Sequence, residues 1–454
     1  MQPGKWRDWV WPAAAFAAVR ALAPLVLYAV GKGAEVSWDA RYYVYLATHP
    51  LAVVTGQVFS GPSFGPALVH YPPLLGLALA VPFAAFRSFT PTFLAVRATM
   101  AFWETAGLLV SFAAVRWALA LPGKPASCSS PLTSWVWLAA LLPWGWITTV
   151  VWVQDEILMA PFLVVTWAAS VRDRPVTAAV SLAAGALIAK FYILAFAPVA
   201  FVTLCRRRRF AAALALTLVP LALYFLIYRL RFGVTPMWGY DAASGVATSL
   251  SIFTLLPGAA DAAAFTTVGK AVLVAAAAAP AFYAWRHWRR GGAPSPAAAA
   301  ALWVAAGGLM LVFNPMGQPE YLAWLAYLAP VVLVVAARPA RRWWLAGAAT
   351  ALCALAWGWN CLNAVWRWAE ASAPSARHDL AARAAAWLGS GFFRTAAAVC
   401  AGVYVAAWLV AIWKLRGPLR GDVLQLDLDG GRSASRAAPT VGQHHALSSQ
   451  EMIK

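Results

Sequence analysis

Apolar runs long enough to cross a bilayer recur from Trp9 to Trp413, separated by short polar or basic stretches. The candidate crossings are residues 10–30, 92–120, 133–150, 156–171, 176–189, 190–204, 210–229, 266–285, 296–313, 320–337, 343–363 and 392–413. Segments 176–189 and 190–204 are each short for a span at about 1.5 Å per residue. They read as a hairpin of two short helices tipped near Lys190, with one long tilted helix as the alternative. Segment 71–87 is also apolar, but Pro72, Pro73 and Pro82 suit a broken helix that enters the outer leaflet and returns, or lies along it. The pattern predicts an all-α polytopic membrane protein with about twelve transmembrane helices. The first segment lacks the short apolar region and small-residue cleavage site of a signal peptide, and reads as a retained helix.

Basic residues orient this pattern. If 71–87 does not cross, then Lys5/Arg7, Arg116/Lys124, Arg172/Arg174, Arg206 to Arg209, Arg286/Arg289/Arg290, Arg338/Arg341/Arg342 and Lys414/Arg416/Arg420 all fall on one side. That side is cytoplasmic, because cytoplasmic loops carry the Lys/Arg excess. Both termini are then cytoplasmic. Residues 1–416 form the transmembrane domain, with external loops that include 31–91 and 230–265. The tail, 417–454, is Gly/Ser/Ala-rich and polar, and is expected to be a disordered cytoplasmic segment.

Composition agrees: 62% of residues are hydrophobic and 11% charged, against about 25% charged in soluble domains. The formal net charge of +19 reads as the bias of cytoplasmic loops rather than as a nucleic-acid surface. The five Cys form no disulfide framework, and no Cys/His spacing resembles a zinc site. The 26 Trp partly supply interfacial belts.

With the orientation set by cytoplasmic charges alone, most unusual polar residues fall on the external face. Asp and Glu number only 16, so an Asp in the aromatic stretch Trp38-Asp39-Ala40-Arg41-Tyr42-Tyr43 stands out. If 39–48 is helical, Asp39, Tyr42 and Tyr43 share a face. A carboxylate beside aromatics can bind a sugar hydroxyl and take its proton as the oxygen attacks; Asp39 as a simple helix cap is the plainer reading, and both can hold. His70 and Tyr71 close the first external loop, and Gln154, Asp155 and Glu156 form the second. Asn314, Gln318, Glu320 and Tyr321 form a later external turn. Lys190, between apolar stretches, needs a partner or must snorkel, and a lipid phosphate would suit it. Arg97 and Glu104 lie in one span, two turns apart, and are either functional or part of an intramolecular ion pair that holds helices together. Arg229 and Arg231 sit at an external helix end against the usual bias, facing a phosphate or lipid headgroups.

In this order the motifs resemble the polyprenyl-phosphate-sugar-dependent glycosyltransferases of the GT-C superfamily. The resemblance rests on Trp38-Asp39 with Tyr42-Tyr43, on Tyr71-Pro72-Pro73-Leu74, and on Arg97 followed by Glu104. It continues through Val153-Gln154-Asp155-Glu156, Lys190-Phe191-Tyr192 before Pro198, and Pro319-Glu320-Tyr321-Leu322 before Trp324. Val153 stands where the family usually has Gly, Glu320 where it has Gln, and His70 where some members have Asp.

The resemblance implies a GT-C-like fold with juxtamembrane helices in the first external loop. It implies transfer of one sugar, most often mannose, from a polyprenyl-phosphate carrier at the external or lumenal face, with inversion. Asp39 matches the catalytic base. Lys190, Arg97, Arg229 and Arg231 are candidates for the donor phosphate. Trp38, Arg41, Tyr42, Tyr43, His70, Tyr71, Gln154, Asp155, Glu156, Gln318, Glu320 and Tyr321 are candidates for binding acceptor or sugar, or for ordering the loops. The expected partners are the lipid-linked donor, a glycolipid or glycan acceptor and membrane lipids, without nucleic acid. The membrane is the plasma membrane in a prokaryote and the endoplasmic reticulum in a eukaryote. No metal site is expected from ligand spacing, although a divalent cation among Asp39, Asp155 and Glu156 stays open. A secondary transporter or lipid flippase without transferase activity is the alternative.

Overall fold

Prolines and glycines cut the apolar runs into helices whose ends can be traced to single residues. The computed structural model describes residues 7–29, 38–61, 64–68, 71–120, 129–151, 153–233, 250–255, 262–288, 294–314, 319–336, 339–371 and 380–419. These lie in one compact unit, Met1–Asp422. The chain begins with α1 (Arg7–Ala29), followed by α2 (Trp38–Thr48) and α3 (Ala52–Thr55). A short antiparallel pair, β1 (Val58–Gly61) and β2 (Phe64–Leu68), sets Val58 opposite Leu68 and Gly61 opposite Phe64. The helices continue with α4 (Leu75–Arg87), α5 (Thr92–Leu119), α6 (Ser129–Leu141) and α7 (Pro143–Trp146). A π-turn (Ile147–Val151) and a 3-10 turn (Glu156–Leu158) lead to α8 (Met159–Val171) and α9 (Pro175–Ile188). A second 3-10 turn (Phe191–Phe196) precedes α10 (Ala197–Thr203), α11 (Arg207–Thr217) and α12 (Val219–Phe232). After these come α13 (Ala262–Trp288), α14 (Pro296–Val312), a third 3-10 turn (Pro319–Leu325) and α15 (Leu328–Ala336). The last are α16 (Pro339–Ala371) and α17 (Leu380–Leu419), the latter kinked at Gly389.

The architecture is helical, as the hydrophobic pattern predicts, with one short β-hairpin in the first loop that the pattern does not show. Four helices are long and apolar enough to cross a membrane by length and composition: Thr92–Leu119, Arg207–Phe232, Arg342–Leu362 and Gly391–Arg416. Seven shorter apolar helices accompany them among the described residues, the pattern of an integral membrane protein. The expected crossing 133–150 is broken where Pro143 cannot continue α6 and opens α7 instead. Helix α4, within 71–87, has 13 residues, about 20 Å, short of a hydrocarbon core of about 30 Å. It packs between α2 and α5, and the amide of Leu74 bonds the Leu187 carbonyl at 3.0 Å, tying the Pro72-Pro73 turn to the end of α9.

Helix α14 is the core. Its alanines from 298 to 301 are nearly inaccessible, and it packs against α13, α15 and α17. Gly308 makes this possible, since a Cβ there would lie 2.6 Å from the Trp408 ring. Ser295 accepts a bond from the Ala298 amide at 3.2 Å and Pro296 follows at the first helical position, which starts α14 cleanly. The tryptophans divide: Trp135, Trp167, Trp303 and Trp324 are fully buried, while Trp11, Trp344 and Trp413 are exposed. The expected interfacial belt therefore accounts for some of them only. The tail from residue 420 onward lies outside the described residues, as does most of the expected loop 230–265.

Candidate functional site

Residues of the first and second predicted external loops meet Lys190. Helix α2 forms as expected, so Asp39 and Tyr43 stand one turn apart on one face. The Tyr43 hydroxyl donates to Asp155 Oδ1 at 2.8 Å and accepts from the Asp155 amide at 3.4 Å. Tyr42 and Tyr43 pack against the Tyr71 ring with centroids 5.0 and 6.0 Å away. Gln154 Oε1 lies 3.4 Å from the Tyr43 hydroxyl. Lys190 Nζ reaches Asp155 Oδ1 at 2.9 Å and Glu156 Oε1 at 3.0 Å, and sits 4.8 Å from the centre of the Tyr71 ring.

Backbone geometry places these groups. Val153 is a buried β-branched residue with φ +56°, a conformation such residues rarely adopt. It follows the π-turn, and the Gln154 amide bonds back to the Thr148 carbonyl at 2.9 Å. This sharp turn delivers Asp155 and Glu156 into the interior. Lys190 arrives extended, with φ −150°, between α9 and the turn Phe191–Phe196. Its side chain is 17% exposed, and both carboxyl partners are buried. Burial opposes its charge, but Asp155 and Glu156 outweigh burial and hold the ammonium well above the usual lysine range. Asp155 Oδ2 is buried with no hydrogen-bond partner among the described residues, so the site keeps one acceptor in reserve.

The other predicted residues fall into three groups. Tyr321 lies on the turn Pro319–Leu325, which packs against Glu156–Leu158; its ring stacks on Trp324, which also meets Tyr192. Glu320 is half-buried beside it. Arg97 is buried on α5, which packs against α2, while Arg41 is exposed. Arg229 and Arg231 are exposed at the end of α12: Arg229 donates to the Gly233 carbonyl, and Arg231 lies 5.1 Å from the Phe232 ring centre. Arg231 also lines a groove of about 290 Å³ with Val54, Tyr224, Tyr228 and Phe232. His70 and Gln318 lie outside the described residues, as do the side chains of Trp38 and Asp39.

Two of the charges in the apolar runs find partners inside the protein. Lys190 is paired, one of the two outcomes expected of it, and its partners are the Asp155 and Glu156 carboxyl groups. Glu104 pairs with Arg20 at 2.7 Å. Arg20 was not singled out from sequence, although a charge inside the first apolar run was the signal that could have found it. Glu104 also accepts from Thr149 Oγ1 at 2.6 Å. Among the described residues, no three His, Cys, Asp or Glu side chains gather as metal ligands would.

No family model matches the chain, and no curated protein matches it. Among solved structures, it is similar to the crystal structure of ArnT from Cupriavidus metallidurans bound to undecaprenyl phosphate, with 15% identity and a TM-score of 0.48 over 90% of this chain and 78% of that one. It is also similar to the apo crystal structure of the same protein, with 16% identity and a TM-score of 0.45 over 90% of this chain and 77% of that one. Similarity at this level transfers neither substrate nor residue roles.

Proposed function

We propose that this chain is an inverting membrane glycosyltransferase that moves one sugar from a polyprenyl-phosphate carrier to a lipid or glycan acceptor at the external face. The observation that carries the reading is the meeting of Tyr43, Tyr71, Gln154, Asp155 and Lys190. These come from separate parts of the motif series, and Asp39 stands one turn from Tyr43.

In this reading Asp39 takes the proton of the acceptor hydroxyl as its oxygen bonds the anomeric carbon. The bond from that carbon to the phosphate oxygen breaks, and the phosphate leaves with the electron pair. One carboxylate is enough, because a phosphate leaving group needs little protonation. Buried Arg97 and the α12 arginines Arg229 and Arg231 are the cations proposed for the donor phosphate. Lys190 is proposed to serve it only by giving up a carboxyl partner. Asp155, Glu156 and Tyr321 are proposed to bind sugar or acceptor hydroxyls, and the free Asp155 Oδ2 supports that role. Mannose is the proposed sugar, and both termini are proposed to be cytoplasmic.

The test uses purified protein in lipid, labelled polyprenyl-phosphate-mannose and a membrane lipid extract as acceptor pool. Wild type is expected to transfer label, and Asp39→Asn to lose at least about 100-fold of the rate. Equal rates for the two proteins would remove Asp39 as the base. Absence of transfer with mannose and with other sugar donors would favour a transporter or flippase.

A further inference from the structure

The π-turn Ile147–Val151 and the left-handed Val153 are two departures from ordinary backbone close together in the chain, just ahead of Gln154 and Asp155. A non-glycine residue in this conformation costs about 1–3 kcal/mol and persists only where its surroundings hold it. The surroundings are specific. Thr149, inside the π-turn, donates to Glu104 Oε2 at 2.6 Å. Glu104 Oε1 receives Arg20 at 2.7 Å, and Arg20 also donates to the Ala140 carbonyl at 3.0 Å, at the end of α6. The Tyr327 hydroxyl donates to the Glu104 carbonyl at 2.8 Å. Gly145 leaves room for the carboxylate, since a Cβ there would lie 2.6 Å from Glu104 Oε1.

We infer that Glu104 is a positioning residue: through Thr149 it holds the π-turn that aims Asp155 and Glu156 at Lys190. Glu104 touches none of those three groups in the contacts above and acts through the backbone between Thr149 and Asp155. Its effect on sugar transfer rests on the reading given above, but its effect on Lys190 does not.

The experiment therefore reads Lys190 itself. Full-length protein in lipid nanodiscs is treated with an amine-acylating reagent across a pH series, and labelling of Lys190 is read by peptide mass spectrometry with exposed Lys414 as the internal reference. In wild type, the pH of half-labelling at Lys190 is expected above the ordinary lysine range. Thr149→Val removes the bond to Glu104 at nearly constant volume, and is expected to lower the Lys190 value toward the ordinary lysine range. Thr149→Ser is expected to restore it. If Thr149→Val does not fold, Gly145→Ala displaces the same carboxylate and is read in the same way. General loss of stability lowers the melting temperature without moving Lys190 relative to Lys414. A wild-type profile in Thr149→Val or its substitute, with Asp155→Asn shifted as control, would overturn the inference. Because no sugar donor is used, that failure is separate from a failure of transfer.

Discussion

Glu104 meets one guanidinium, whereas Lys190 meets two carboxyl groups. Both clusters are buried and both join distant parts of the chain, but their charge counts differ. Around Glu104 the charges cancel, and Thr149 supplies a neutral donor to the second oxygen. Around Lys190 two carboxyl groups share one ammonium, and Asp155 Oδ2 has no hydrogen-bond partner among the described residues. A balanced cluster suits a brace. An unbalanced one with an open acceptor suits binding, because a substrate hydroxyl or cation can complete it.

Neutralising each cluster in steps tests the difference. Lys190→Met strands two buried carboxyl groups and is expected to cost about 3–5 kcal/mol, the largest effect here, read by thermal unfolding in detergent. Adding Asp155→Asn alone should recover only part of this, and Glu156→Gln is needed as well. Arg20→Met is expected to cost about 3 kcal/mol, and Glu104→Gln alone should recover most of it. Full recovery of Lys190→Met by one carboxyl substitution would break the comparison. Tyr43→Phe removes the hydroxyl that bonds both Asp155 Oδ1 and the Asp155 amide and is expected to cost about 1.5–3 kcal/mol, with a larger loss in transfer rate than in stability.

The smallest effect concerns pH. The lysine is held above its ordinary range by Asp155 and Glu156 after burial has acted against its charge. Its contribution is therefore complete below the ordinary lysine pKa and is lost as pH rises through the raised one. Lys190→Arg, which does not titrate there, is expected to flatten the alkaline fall in melting temperature. The same fall in both proteins would place the titrating group elsewhere.

The long apolar runs that become α5, α14 and α17 were legible because length and composition alone mark them. Helix α2 entered only as a condition, the helix over 39–48 that would set Asp39, Tyr42 and Tyr43 on one face, and as a juxtamembrane helix that the resemblance implies. The turn at Val153 was not, since a β-branched residue gives no signal for a left-handed backbone; the resemblance marked the position only as a replaced glycine. The pairing of Lys190 with Asp155 and Glu156 joins residues far apart in sequence, and only the sharing of one membrane face hinted at it. That Glu104 could sit in an ion pair between helices was legible, but not its partner, because Arg20 lies on another helix and no local spacing links the two.

Lys190 also bears on how the chain is made. Helix α9 has 14 residues and α10 has 7, so neither is long enough to thread a bilayer by itself. A lysine stands between them. Synthesis runs from the N-terminus, so Asp155 and Glu156 leave the ribosome before Lys190 does. The α9–α10 segment is then expected to meet its counter-charges already in place on the segment leading into α8. An insertion assay on nascent chains is expected to show Asp155→Asn/Glu156→Gln leaving the pair outside the bilayer more often than wild type. The order of charges along the chain puts both carboxyl groups ahead of the lysine they partner, and the insertion of α9 and α10 is expected to depend on the segment made before them.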